Sequence, residues 1–137
     1  MERPMSRFLA ALLGVVIAGS LSNPVSASEA DVISVDVKCR ELVCEFAVTL
    51  KHADEGWNHY ADGWEVLGED RKLLAKRVLR HPHVNEQPFT RSLPGVKLPA
   101  GTTRVIVRGH DKVHDYGGVE VSVEIPAAKR EPVSTPD

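Results

Sequence analysis

The stretch Cys44-Glu45-Phe46-Ala47-Val48-Thr49-Leu50-Lys51 has the period of two that only an extended chain uses: Cys44, Phe46, Val48 and Leu50 share one face and the intervening residues the other. Upstream, Ile33, Val35, Val37 and Cys39 alternate in the same way, and Arg40 to Val43 form a four-residue connection. Two antiparallel strands, Val32 to Cys39 and Leu42 to Lys51, are therefore expected to pair as a hairpin with Ile33, Val35 and Val37 inward. Far downstream, Val119, Val121, Val123 and Ile125 alternate with Glu120, Ser122 and Glu124. That strand reads as core on one face and solvent on the other.

Between these ends the pattern predicts four more strands. Tyr60 to Leu67 places Trp64 and Val66 on one parity, with Asp62 in phase with them. Leu73 to His81 stops at Pro82, which has no amide donor for a ladder. Phe89 to Leu98 carries a break at Pro94-Gly95, and Arg104 to Gly109 follows the turn Pro99-Ala100-Gly101. About seven short strands with an inward Trp on the third make the chain all-β and resemble an immunoglobulin-like or fibronectin III-like antiparallel sandwich. The resemblance is one of architecture: the cysteines do not bridge the second and sixth strands, and no tyrosine stands near the start of the sixth.

The first residues read as a secretion signal, with Arg3 and Arg7 ahead of the apolar run Phe8 to Gly19 and a small-residue cleavage site at Val25-Ser26-Ala27. The apolar run falls well short of the roughly 20 residues that span a bilayer. The expected organisation is a leader over residues 1–27, one β-sandwich domain over 28–126 and a disordered tail over 127–137, where Pro132 and Pro136 lie among charged and small residues. No membrane span is expected after cleavage, and the address is periplasmic or secreted. The formal net charge of −2 lacks the basic excess of a nucleic-acid binder.

Cys39 and Cys44 are the two cysteines of a chain bound for an oxidising compartment, and alternation puts both sulfurs on one side of the hairpin. A disulfide is expected. The CxxxxC spacing also departs from the CxxC of common metal and thioredoxin-type pairs.

All six histidines fall between His52 and His114. Following chain direction through antiparallel neighbours places every one of them at the same end of the sandwich, opposite the disulfide. Imidazole is the commonest metal ligand and titrates nearest neutral pH, so this pole is where chemistry or recognition is expected. One reading is a non-enzymatic binding module whose loops recognise a periplasmic protein partner or hold one another in place, with Trp57, Tyr60 and Tyr116 as contact candidates. The alternative is a transition-metal site for Cu(II) or Zn(II), with His81, His83 and His110 as leading ligands, His59 or His114 completing the set, and Asp111 either a ligand or an acceptor that orients an imidazole. A blue-copper centre is excluded, since it needs a thiolate, and so is a thioether-rich carrier, since Met1 and Met5 both lie in the leader. Catalysis has little footing: Ser92 and Ser122 sit in strands without a nucleophile elbow, and no glycine-rich phosphate loop follows a strand. Arg104, Arg108 and His110 share a parity and read as a stripe on an outer sheet face.

Three stretches, Gly56 to Val66 (GWNHYADGWEV), His81 to Ser92 (HPHVNEQPFTRS) and Gly109 to Gly118 (GHDKVHDYGG), resemble an uncharacterised family of small secreted proteins of Gram-negative bacteria. That resemblance implies a periplasmic address and assigns no residue a role.

Overall fold

The computed structural model describes residues 29–126. The leader expected over residues 1–27 and the tail expected over 127–137 lie outside the described residues. Seven strands follow one another: β1 (Asp31–Arg40), β2 (Val43–Lys51), β3 (Ala61–Gly68), β4 (Leu73–Val78), β5 (Phe89–Lys97), β6 (Arg104–Asp111) and β7 (Val121–Glu124). They form two antiparallel sheets, β1-β2-β5 and β4-β3-β6-β7. The all-β reading holds, and among the described residues no helix is long and apolar enough to cross a membrane.

The alternation that announced the strands also builds the core. Phe46, Val48 and Leu50 of β2 meet Trp64 and Val66 of β3 and Val105 and Val107 of β6, all fully buried. Cys39 and Cys44 are direct partners in the β1–β2 register and are joined as a disulfide.

Two inward assignments fail. Ile33 is 51% exposed because a register shift between Val32 and Ser34 reverses the parity at the start of β1, so Val32 is buried in its place. Val119 is 59% exposed; β7 begins only at Val121, since the carbonyl of Val119 is held by the Val32 amide and its own amide by Asp31. Two further boundaries move by more than one residue. β4 stops at Val78, before the expected His81, and β6 continues to Asp111. The break expected at Pro94-Gly95 is present as a register shift opposite Cys44 and Phe46, with Gly95 at φ +68°.

A further irregularity matters for the site. Ala61 pairs with Asp111 but Gly63 pairs with His110, so Asp62 is an extra residue on β3. This bulge turns Asp62 out of phase with Trp64 and aims it at His110 on the outer face.

The chain enters the domain at the end where β6 finishes, passing Ala30 under Gly109 and Gly118. A methyl group on Gly118 would stand 2.1 Å from the Ala30 carbonyl oxygen. Gly118→Ala is therefore expected to destabilise the fold by about 3 kcal/mol, the cost of overpacking against rigid backbone. Urea denaturation checks this, and an unchanged midpoint would contradict the packing described.

Candidate metal centre at the histidine pole

β2, β4 and β6 all run toward one end of the sandwich, so the β2–β3, β4–β5 and β6–β7 loops meet there. The contacts confirm it. The His52 amide donates to Gln87 Oε1 at 3.0 Å, the His83 amide to Asp54 Oδ2 at 2.6 Å and the Lys112 amide to the Tyr60 carbonyl at 3.2 Å. All six histidines lie on these loops or on the strand ends that lead into them.

Strand parity then divides them. On β2 the inward series Cys44, Phe46, Val48, Leu50 continues to His52, and on β6 the inward series Val105, Val107, Gly109 continues to Asp111. The two sheets thus bring a buried imidazole and a buried carboxylate together at the bottom of the core. His59, from the β2–β3 loop, joins them. One ligand atom from each of His52, His59 and Asp111 lies within 4.8 Å of the other two, so the group could hold a metal ion.

Both histidines are oriented alike. His52 Nδ1 donates to Asp54 Oδ1 at 2.5 Å, while its Nε2 stands 4.0 Å from Asp111 Oδ2. His59 Nδ1 faces Glu55 Oε2 at 3.4 Å, while its Nε2 stands 3.4 Å from Asp111 Oδ1. A carboxylate on the far nitrogen of a ligating histidine fixes the tautomer and makes the near nitrogen more basic. Ligands about 2.0–2.1 Å from a tetrahedral ion stand roughly 3.4 Å apart; the His59–Asp111 contact already has that separation, while the 4.0 Å His52–Asp111 contact has to shorten.

Asp111 is built to stay ionised. Burial alone would raise its pKa, but the amides of His114 and Val113 and the His52 ring outweigh burial and hold the carboxyl below the ordinary aspartate value. Oδ1 accepts both amides at 2.8 Å and faces His114 Nδ1 at 3.2 Å. Oδ2, on a side chain of 0% exposure, accepts no hydrogen bond among the described residues. A buried carboxylate oxygen without a donor costs free energy, and a bound cation is one partner that would relieve it.

The other expected ligands take separate places. His83 is buried flat against Phe89, ring centroids 3.9 Å apart. Its Nε2 lies 2.9 Å from Arg91 Nη2, and a guanidinium can only donate, so the ring is neutral with its proton on Nδ1. Burial, then the charge of Arg91, pushes its pKa down, in keeping with that state. It is the His83 backbone amide that reaches Asp54. His81 is exposed, its ring 4.7 Å from that of His83.

His110 points to the outer face of the second sheet. Its Nδ1 meets Asp62, its Nε2 lies 3.3 Å from Asp115, and its ring packs edge-on against Tyr116. Beside it Glu65 takes two bonds from Arg108, at 3.0 and 2.9 Å, and one from the Tyr116 hydroxyl at 2.6 Å. The stripe Arg104, Arg108 and His110 is accordingly matched residue by residue with Glu124, Glu65 and Asp62. Burial and the bond to Glu65 push the Tyr116 phenol up to about 12. An ultraviolet titration of the folded protein should therefore show Tyr116 ionising near that pH, and Tyr116→Phe should remove the step. A Tyr116 transition at the ordinary value of about 10 would mean the contact is absent in solution.

Of the three expected partner-contact residues, Tyr60 is buried and Tyr116 is tied to Glu65 under the Arg108 guanidinium, 3.6 Å from its ring. Trp57 is 65% exposed at the tip of the β2–β3 loop, with Tyr60 edge-on to its ring. An open hollow of about 500 Å³ lies at the opposite pole, lined by the Gly68–Lys72 turn and Pro99–Arg104, and includes none of the histidines.

His52, Asp54, Asp62 and Glu65 are the residues that ligand reasoning from sequence passed over. Extending the inward parity of β2 by one step marks His52. Nothing in the sequence marks Asp54, whose partners lie on three separate segments.

No protein-family model matches the chain, and no solved structure matches it. A curated relative is a protein of the halophilic archaeon Halomicrobium mukohataei named "Putative lipoprotein", 46% identical over 99 residues, which is 70% of this chain and 47% of the relative. The chain thus spans about half the length of the relative it matches.

Proposed function

We propose that the protein is an extracytoplasmic β-sandwich that binds a divalent transition metal through His52, His59 and Asp111. One observation carries this reading: two imidazoles with carboxylates behind them turn their Nε2 atoms to a buried carboxylate, one oxygen of which has no donor among the described residues. Two nitrogens and an oxygen suit Zn(II) and Cu(II), and both cysteines are consumed in the disulfide at the other pole. The leader-like residues 1–27 and the lipoprotein name of the archaeal relative support an address outside the cytoplasm. The strand order β1-β2-β5 against β4-β3-β6-β7 supports the immunoglobulin-like or fibronectin III-like assignment of the sandwich.

Calorimetric titration of the metal-stripped protein tests the reading. One equivalent of Zn(II) should bind, and Cu(II) should bind more tightly, as donor chemistry dictates. If neither binds at micromolar concentration, the proposal falls. Asp54→Asn keeps the shape of the residue that orients His52 but weakens its acceptor, and should lower Zn(II) affinity about 10- to 100-fold. An unchanged affinity would mean that Asp54 does not orient a ligand.

A second reading, recognition of a partner protein at the same pole, rests on Trp57. Photocrosslinking from that position in the producing cell should return one discrete adduct; none would dismiss it.

A further inference from the structure

The rings at this pole form a chain. His52 and His59 have centroids 4.9 Å apart, and His59 and His114 have centroids 5.0 Å apart. His114 reaches Asp111 from the β6–β7 loop, and its side chain is one-third exposed. We propose that His114 is a fourth ligand that closes the coordination sphere when the metal arrives, an inference that rests on the His52, His59 and Asp111 reading above.

The hydrogen-bond arithmetic at Asp111 supports it. Oδ1 faces two backbone amides, His114 Nδ1 and His59 Nε2, whereas a carboxylate oxygen offers about two lone-pair sites. The imidazole of His114, at 3.2 Å, is the longer of its contacts with that oxygen; its amide lies at 2.8 Å. The loop is pinned without the ring, because the amides of Val113 and His114 are capped by Oδ1 and the backbones of Asp111 and Asp115 bond each other at 3.0 and 3.1 Å. Rotation of the side chain therefore leaves the loop in place. A metal between His52 and His59 gives the departing ring a stronger partner than a crowded oxygen.

The consequence is a closed site with three nitrogens and one oxygen. Four protein ligands make a structural or storage centre; three with an open position make a catalytic one. The structure therefore points to a bound metal that holds the two sheets and two loops together and is not presented to a substrate.

Co(II) reports the difference, because a tetrahedral ion lacks a centre of symmetry and absorbs visible light more strongly than a six-coordinate one. The metal-stripped protein titrated with Co(II) should develop intense visible bands. His114→Ala and His114→Gln should bind Co(II) at least about tenfold more weakly, with weaker bands, and the weaker bands are what distinguish loss of a ligand from loss of an outer partner. Added imidazole should restore the intensity of His114→Ala by filling the vacated position. Spectra and affinities identical to the parent would overturn the fourth ligand and leave the three-residue centre standing. If the parent binds neither Co(II) nor Zn(II), the three-residue centre itself fails, and this inference with it.

Discussion

Zn(II) at a hundred times its dissociation constant should stabilise the metal-stripped protein by about 2.7 kcal/mol, because an ion that binds only the folded state adds its mass-action free energy to folding. For a domain of this size that is a rise in melting temperature of on the order of 10–20 °C. The size follows from where the ligands come from. His52 prolongs β2 of one sheet, Asp111 ends β6 of the other, and His59 belongs to the loop between β2 and β3, so an ion bound there would bridge both sheets at the end opposite the disulfide.

Two variants separate this reading from a metal-free polar network. Asp111→Asn keeps a carbonyl oxygen to cap the Val113 and His114 amides but removes the charge and one ligating oxygen. If the cluster is only a hydrogen-bonded network, whatever stability the variant loses with the carboxylate's charge should be the same with and without Zn(II). If the cluster holds a metal, the variant should lose most of the Zn(II)-dependent rise. His52→Gln should lose it too. Melting curves of the parent that coincide with and without Zn(II), Cu(II) and Co(II) would leave the metal reading without support.

The second large effect is expected on the outer face. Glu65→Ala strips the partner from the Arg108 guanidinium and from the Tyr116 hydroxyl in one step, and the Glu65 side chain is almost fully buried. Breaking a buried pair from one side costs about 3–5 kcal/mol; Arg108 keeps some access to water, so about 3 kcal/mol is expected. Glu65→Gln, which keeps the shape and one acceptor, should cost less. Chemical denaturation measures both, and a loss below about 1 kcal/mol for Glu65→Ala would show that the network is marginal.

The same group sets a pH dependence. Burial would raise the Glu65 pKa, but the Tyr116 hydroxyl and the Arg108 guanidinium outweigh burial and hold it below the ordinary glutamate value. A carboxyl with a depressed folded pKa contributes stability that is fully present above its unfolded value, about 4.3, and is lost as pH falls through the lower folded value. The parent should therefore lose stability more steeply than Glu65→Gln on acidification below about pH 4.3. Because Glu65 and Arg108 lie on the outer face, Glu65→Gln should leave Zn(II) affinity within a small factor of the parent.

Strand existence, the hairpin disulfide and the gathering of the histidines at one end are all consequences of period-two patterning and chain direction, and the sequence by itself determined them. Alternation is a local property, so β2 was legible residue by residue. It fails where one residue is inserted. The shift at Ile33 and the bulge at Asp62 each reverse a parity, and neither has a composition signal.

Which histidines meet was decided only by the tertiary structure, because a pole is one end of two faces. His110 and Asp111 are neighbours in sequence, yet one lies on the outer face with Glu65 and Tyr116 and the other at the bottom of the core. His81, His83 and His110 share the pole without sharing a centre. The buried set is drawn from β2, its loop and the end of β6, and the packing of one sheet on the other is what brings an inward imidazole and an inward carboxylate within reach of a single ion.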